Sequence, residues 1–303
     1  LTWLDAAPDA PPPALVPRSL EMVIPPAERR EPLTLPDWEA LILAAQDAMR
    51  HGELEKVVLS RTRELDFPSP PPAETIFRRI ATAYPHTFRF FFEPVPGHVF
   101  LGATPELLAS AAEGRLRTIA LAGSAPRGAT PAEDARLGAA LLDDPKNRRE
   151  HAFVVRHILR SLRGLGLHPE HPAGPRLRTL PNIQHLETPV EAALENVMLL
   201  EAAAALHPTP ALAGTPRAAA LDFIRRHEPH ARGWYGAPVG WISPNGDGKL
   251  AVAIRSALMR GTTLRLYAGA GILPDSDPQA EWEETALKFR PLEEGVRGAE
   301  LRS

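Results

Sequence analysis

The chain has 303 residues, no cysteine, and 34 basic against 37 acidic side chains for a formal net charge of −3. That length suits one large domain or two small ones, and the near balance of charge gives no footing for nucleic acid or an anionic membrane. No apolar run is long enough to span a bilayer and no signal peptide is found; with disulfides, thiolate nucleophiles and cysteine-bound metals excluded as well, a cytoplasmic enzyme is expected.

Residues 1–36 are rich in proline, with Pro11, Pro12 and Pro13 in a row, and read as an extended arm. The chain does not open on methionine, so a fragment or a product missing its natural start is expected. Residues 37–303 are expected to form the folded domain. Asp37 to His51 has the spacing of an amphipathic helix, with Leu41, Leu43, Ala44 and Met49 on its apolar side, Asp37 as cap and Gly52 as terminator. Lys56 to Arg61 (KVVLSR) reads as a strand. Val57 and Leu59 face one way, and Lys56, Val58 and Ser60 the other. A lysine beside such a run is ordinarily an edge-strand charge turned to water. The sharper reading is an amine held among apolar neighbours, where desolvation makes it a base. Ala73 to Tyr84 reads as a second helix, and Phe88–Glu93 with His98–Leu101 as a hairpin. GATPELLAS then leads into another strand. Glu106, between Pro105 and Leu107, is either an exposed turn residue or a buried carboxyl able to serve as a general acid.

Arg115 to Gly128 reads as a strand ending in a glycine turn. Thr130 to Asp143 is a helix with a capping box from Thr130 to Glu133. Lys146 to Arg163 is a longer helix that turns Phe153, Val154, Ile158, Leu159 and Leu162 inward. Glu150 lies one turn before Val154, at the rim of that face, though Arg148, Arg149 and Glu150 also read as plain surface charges. RLRTLPNIQHLETPV is strand-like and contains His185 and Thr188, and a lone histidine is more often structural than a ligand. Asn196 to Leu206 reads as a helix, and HPTPALAGTP as a loop feeding a helix from Pro216 to His227. GAPVGWISPNGDGKLAVAIRSA is a hairpin whose NGDG tip is turn chemistry; a phosphate loop's GxxxxGK[ST] is absent.

The stretch from Arg255 to Lys288 holds two strands, then Gly269 and Gly271, whose bare backbone allows close approach. Asp277 and Pro278 start a helix. Its Glu281, Glu284 and Lys288 share one face. Two carboxylates and an ammonium there either hold a divalent cation and an acidic ligand or form a solvated ion pair. The mixture of strands, hairpins and helices predicts a mixed α/β (α+β) architecture with largely antiparallel sheets and helices outside.

The motifs KVVLSR, GATPELL, AGSAPRG, KNRREH, NIQHLETP, LHPTPALAGTP, WYGAPVGW, IRSA, LYAGAGI and EWEETALK occur in an order that resembles the chorismate-binding enzymes, from about Lys56 to Leu292. That family includes isochorismate, salicylate, anthranilate and aminodeoxychorismate synthases. The resemblance implies a sandwich of two antiparallel sheets with helices on the outside and the site in the cleft between. Its members are longer at the N-terminus. The resemblance further implies that Lys56 activates water for attack on C2 of chorismate and that Glu106 protonates the departing C4 hydroxyl. It gives Glu150, Glu281 and Glu284 to Mg²⁺. It gives Arg255, with the N–H groups of Gly269, Ala270 and Gly271, to the enolpyruvyl carboxylate. Lys288 becomes a second cation, His185 a group near the ring, and Ser124 and Thr188 nearby polar groups. Ala122 stands where similar amine-forming enzymes carry a lysine. Ala211 stands where anthranilate and salicylate synthases tend to carry threonine. Together these imply a Mg²⁺-dependent isochorismate synthase, most similar to the menaquinone-type enzymes. Chorismate is the expected small-molecule partner, and a monomer or weak homodimer the expected state. The alternatives are a salicylate synthase that goes on to eliminate pyruvate, and a truncated member that binds without catalysis.

Overall fold

The computed structural model describes residues 22–180 and 183–297. The triple proline of the expected arm, Pro181 and Asn182 of the NIQHLETP region, and residues 298–303 lie outside the described residues. In chain order the elements are β1 (Glu28–Arg30), α1 (Leu35–Arg50), β2 (Lys56–Asp66), α2 (Ala73–Ala83), β3 (Phe88–Val95), β4 (His98–Thr104), β5 (Leu107–Ala112) and β6 (Arg115–Pro126). Then come α3 (Pro131–Asp143), α4 (Pro145–Gly164), β7 (Arg176–Thr179), β8 (Ile183–Ala193), α5 (Leu199–Leu206), β9 (Gly214–Thr215) and α6 (Arg217–His227). The chain closes with β10 (Pro238–Ile242), β11 (Gly248–Val252), β12 (Ser256–Arg260), β13 (Thr263–Ile272) and α7 (Pro278–Arg297).

Two sheets result. One has seven strands in the order β1-β2-β13-β12-β4-β3, with β9 also on β2; the other has six, β10-β11-β5-β6-β8-β7. The pairings are antiparallel throughout. The expected fold class is therefore present. Apolar periodicity decides which helix covers which face. Val154, Ile158 and Leu162 of α4 pack, with α5, on Leu116, Ala120, Val190 and Val252 of the second sheet. Ile76 and Ile80 of α2 and Phe289 and Leu292 of α7 pack on Leu101, Leu264 and Leu266 of the first. Trp38 and Ile42 of α1 and Phe223 of α6 cover Val57, Leu59, Ala270 and Ile272. Each such side chain contributes roughly 1.5–3 kcal/mol on burial, which ties the helices to the outer faces. The inner faces meet through two smaller groups, Phe90 and Phe100 of the first sheet with Ala253 and Val239, and Leu107, Ile119 and Leu121 of the second with Phe88.

Several boundaries differ from the sequence reading. Helix α1 starts at Leu35, and Thr34 is the cap. Asp37 is instead the third helical residue, its carboxylate taking the Thr34 N–H at 3.1 Å. Glu133 closes its turn on the Ala129 N–H at 2.9 Å, one residue before Thr130. Helix α5 begins only at Leu199. Strand β2 continues to Asp66 because β13 pairs with it from Val57 to Asp66. Lys56 is thus not an edge-strand charge: β9 and β13 flank its end of β2, and its side chain is fully buried.

Two short connections carry the chain directly from one sheet to the other, and two longer ones, through α5 and α6, cross by way of β9. In the short ones, Pro105 and Glu106 join β4 to β5, and Ala253 to Arg255 join β11 to β12. The Val252 N–H donates to the Glu106 carbonyl at 3.0 Å and the Ala103 N–H to the Arg255 carbonyl at 3.2 Å, lacing the two short crossings together. Arg255 has φ of 50°, a left-handed conformation that costs a side-chain-bearing residue about 1–2 kcal/mol and is found where surroundings enforce it.

Candidate active site

The crossings open onto a cleft between the sheets. Its walls include Glu106, Arg255, Glu150, His185, Ser124, Ala122, Ala211, Gly269, Gly271, Glu284 and Lys288. These side chains come from elements up to 182 residues apart (Glu106 to Lys288): strands of both sheets and their crossings supply most of them, while Glu150 reaches in from α4 and Glu284 and Lys288 from α7. Glu106 is buried, and its carboxyl makes no side-chain hydrogen bond or ion pair among the described residues. Desolvation pushes it up to about 7, against the opposing charges of Arg255, Lys56 and Lys288. A carboxyl so placed holds a proton at neutral pH and can give it to a leaving group. Arg255 is buried, and its guanidinium has no ion pair among the described residues. Burial lowers it from its ordinary value, yet a guanidinium stays charged. An unpaired planar cation in a cleft is a seat for a carboxylate.

Three glutamates line up with three lysines. Lys56 Nζ lies 3.0 Å from Glu150 Oε1, Lys146 Nζ 2.5 Å from Glu281 Oε1, and Lys288 Nζ 2.5 Å from Glu284 Oε1. Burial would raise the Glu150 carboxyl, but Lys56, Lys288 and Lys146 hold it below its usual range. Glu281 behaves oppositely: burial and then the like charge of Glu284 raise it, despite Lys146 and the Ser276 hydroxyl, 2.8 Å away. For Lys146, burial lowers and Glu281, Glu284 and Glu150 raise, with a net increase. Among the described residues no three acidic or histidine side chains are grouped closely enough to hold a metal ion. The donors nevertheless fit a hard divalent cation: they are carboxylate oxygens, the charges of Glu281 and Glu284 oppose each other, and a lysine ammonium sits on Glu281.

The glycine strand explains itself by what its missing side chains would hit. A methyl group on Gly271 would overlap Glu150 Oε1 and come within 2.9 Å of Lys56 Cε; one on Gly269 would come within 2.9 Å of the Tyr235 hydroxyl. Opposite them on β2, Ser60 sends its N–H to Glu228 and Val58 its N–H to Ala213, both away from β13. By the alternation of antiparallel pairs, Gly269 and Gly271 then turn their own N–H and C=O groups to the edge that β12 leaves uncovered beyond Leu266. The Gly269 carbonyl takes the Lys288 ammonium there at 2.8 Å. Ala270 differs. Its methyl is buried behind the sheet with Trp38 and Ile42, and it stands outside the cleft lining. The strand's alternation puts it on the opposite face from the two glycines.

His185 is buried, and burial with the Arg255 and Lys288 charges pushes it down to about 3, so it is neutral. Its Nδ1–H donates to the Gly123 carbonyl at 3.1 Å, which leaves Nε2 as a lone-pair acceptor with no partner among the described residues. Thr188, three residues on, faces α4, where its hydroxyl meets His151 Nε2 at 2.8 Å. Neither Thr188, Glu281 nor Lys56 is part of the cleft lining: Lys56 pairs with Glu150, which does line it, and Glu281 pairs with Lys146, which does not. The sequence reading passed over Val58, Leu121, Leu212, Tyr235 and Ile254, which do line it. Tyr235 stacks on Tyr267 with ring centroids 5.3 Å apart, and burial pushes it up to about 12. WYGAPVGW contains it, but nothing in the motif marks one ring as inward-facing.

The model of the family described as "Chorismate binding enzyme" matches residues 19–297. The chain belongs to that family. It is 39% identical to isochorismate synthase MenF of Bacillus subtilis over 88% of its length and 57% of the relative's. It is 42% identical to the salicylate biosynthesis isochorismate synthase of Pseudomonas aeruginosa, over 86% of its own length and 54% of that protein's. The chain thus spans a little over half the length of these curated relatives. Among solved structures, the putative 2,3-dihydroxybenzoate-specific isochorismate synthase DhbC of Bacillus anthracis superposes with a TM-score of 0.85 at 34% identity, covering 89% of this chain and 74% of that one. The menaquinone-specific isochorismate synthase MenF of Escherichia coli gives 0.85 at 32%, covering 92% and 65%. Among the described residues, no helix is long and apolar enough to cross a membrane.

Proposed function

We infer that the protein is an isochorismate synthase, which interconverts chorismate and isochorismate by adding water at C2 and losing the C4 hydroxyl. The observation that carries this reading is Glu106, a buried carboxyl raised to about 7, in a cleft that also holds the Arg255 guanidinium, neither side chain having an ion pair among the described residues. Water is a weak nucleophile and hydroxide a poor leaving group, so the exchange needs a proton acceptor and a proton donor. Glu106 donates to the leaving oxygen. Lys56, which sits on Glu150 as an ammonium in the resting chain, must first give up a proton and then, as the neutral amine, receives the proton of the attacking water. Arg255 and the Gly269 and Gly271 N–H groups hold the enolpyruvyl carboxylate. His185 Nε2 accepts from a hydroxyl of the substrate. Glu150, Glu281 and Glu284 would hold Mg²⁺, which when bound neutralises the ring carboxylate. Ala122 and Ala211 contribute no amine and no hydroxyl to the cleft, which supports water as the nucleophile and the isochorismate branch of the family.

The test is to incubate the purified chain with chorismate and Mg²⁺ and separate the products by chromatography. Isochorismate alone supports the reading. Salicylate with pyruvate shifts it to a salicylate synthase. Chorismate binding in a calorimeter with no product shifts it to a non-catalytic member.

A further inference from the structure

Lys146 has no part in the chemistry above, yet its ammonium sits on Glu281 and feels the charges of Glu284 and Glu150. It is the second residue of α4, where Asp144 caps the helix by taking the Lys146 N–H at 2.9 Å, so its backbone is fixed while its side chain reaches across to α7. The ammonium lies on Glu281, and Glu284 and Glu150 both act on it. These are the three carboxylates assigned above to the cation. Glu150 and Glu284 each have a further lysine of their own, Lys56 and Lys288. Glu281 has Lys146 as its one ion pair among the described residues. The two partners are also unequal in freedom. The Glu281 side chain is 2% exposed and locked by Ser276, while that of Lys146 is 30% exposed and can leave toward solvent.

Like charges a helix turn apart in a partly dry cleft are costly unless a cation lies between them. A lysine is suited to a removable cation: a strongly hydrated point charge on a four-carbon stem, with no fixed fork of donors to break. A divalent ion and this ammonium compete for the same lone pairs and cannot both have them.

We propose that Lys146 is a resident counter-cation: its ammonium holds Glu281 and Glu284 in register while no metal is bound, and moves out to solvent when a divalent cation takes those oxygens. The identity of the cation, Mg²⁺, rests on the reading under Proposed function; the exchange itself rests on the geometry. Lys146 then lowers the affinity for the metal while keeping the metal-free cleft folded, and the two effects share one cause.

The experiment is calorimetric titration of MgCl₂ into the full chain without chorismate, for wild type, Lys146→Met and Lys146→Arg, with thermal melts of each at zero and saturating Mg²⁺. Lys146→Met is expected to bind Mg²⁺ roughly tenfold more tightly than wild type and to melt lower without the ion, with the difference closing at saturation. Lys146→Arg, whose planar fork grips a carboxylate harder, is expected to bind more weakly than wild type. Lysine acylation of the wild type read by mass spectrometry gives a second measure that needs no variant: labelling of Lys146 rises on adding MgCl₂. Unchanged or weaker Mg²⁺ binding by Lys146→Met overturns the proposal, as does Lys146 labelling indifferent to saturating Mg²⁺. If neither wild type nor variants bind Mg²⁺, with or without chorismate, the metal assignment falls with it. Equal affinities remove the counter-cation alone and leave the isochorismate reading standing.

Discussion

Replacing Glu106 by glutamine keeps the shape of the side chain and removes its proton chemistry, and the structure predicts opposite consequences for activity and stability. In the folded chain the carboxyl titrates at about 7, against 4.5 for an ordinary glutamate. Between those values the unfolded chain has lost its proton and the folded chain still holds it. Because the folded state binds more protons there, stability falls as pH rises from about 4.5 to about 7 and then levels off. The shift is worth about 3 kcal/mol above pH 7. Glutamine escapes that loss but brings amide hydrogens into a site with few acceptors, at a cost of about 1 kcal/mol. Urea unfolding should therefore show E106Q about 2 kcal/mol more stable than wild type at pH 8, and no more stable than wild type at pH 4. Turnover should move the other way. A missing general acid costs about 10²–10⁴-fold in kcat. The wild-type kcat/KM should fall about tenfold per pH unit above about 7 as the acid is lost, a fall absent from the residual activity of E106Q. Parallel stability curves for the two proteins between pH 4 and 8 would show that the carboxyl is not desolvated. Full activity in E106Q would remove it from the chemistry altogether.

Three other perturbations probe the remaining parts. Lys56→Ala should abolish turnover while leaving the circular dichroism spectrum unchanged, and retention of turnover would end the base assignment. Arg255→Lys should raise KM by roughly 10–100-fold at little cost to folding, because a charged bidentate hydrogen bond is worth about 1.5–3 kcal/mol and an ammonium replaces only part of it; steady-state kinetics decides this, and an unchanged KM refutes the clamp. Arg61 is fully buried, lies 3.4 Å over the Trp282 ring and donates to Thr285 Oγ1 at 2.7 Å and to Glu31 at 2.8 Å, so it fastens the turn of α7 that bears Glu281 and Glu284. Arg61→Ala should destabilise the chain by about 3–5 kcal/mol in urea titration, since it empties the space under Trp282 and takes one of two buried arginines, Arg61 and Arg63, from Glu31; a loss under about 1 kcal/mol would mean the network is ornamental.

Much of the fold was legible because strand parity and helix spacing are local. Val57 and Leu59 went to one face of β2 and Lys56, Val58 and Ser60 to the other, as alternation requires, and Asp277 does cap the N-terminal turn of α7, its carboxylate taking the Ala280 N–H at 2.8 Å. What could not be read was which charges lose their water. Glu106 and Lys56 look like surface residues beside their neighbours, and their burial depends on where two crossings and a second sheet fall. Lys146 was invisible for the same reason: KNRREH is four charges in six residues, and no spacing rule says that the first of them reaches a helix 135 residues away. Ala270 shows the converse. A motif names a stretch of backbone, and alternation then sends its middle side chain out of the site.

The laced crossings have a consequence for how such a site diversifies. In folds that carry their chemistry on free loops, length can vary without disturbing the scaffold. Here Glu106 and Arg255 sit in two seams stitched together by the Glu106–Val252 and Ala103–Arg255 hydrogen bonds. An insertion in either seam would slide one sheet over the other and carry both residues with it. Exchanging side chains that line the cleft, such as Ala122 and Ala211, leaves that frame's dimensions unchanged and is the expected route to new specificity.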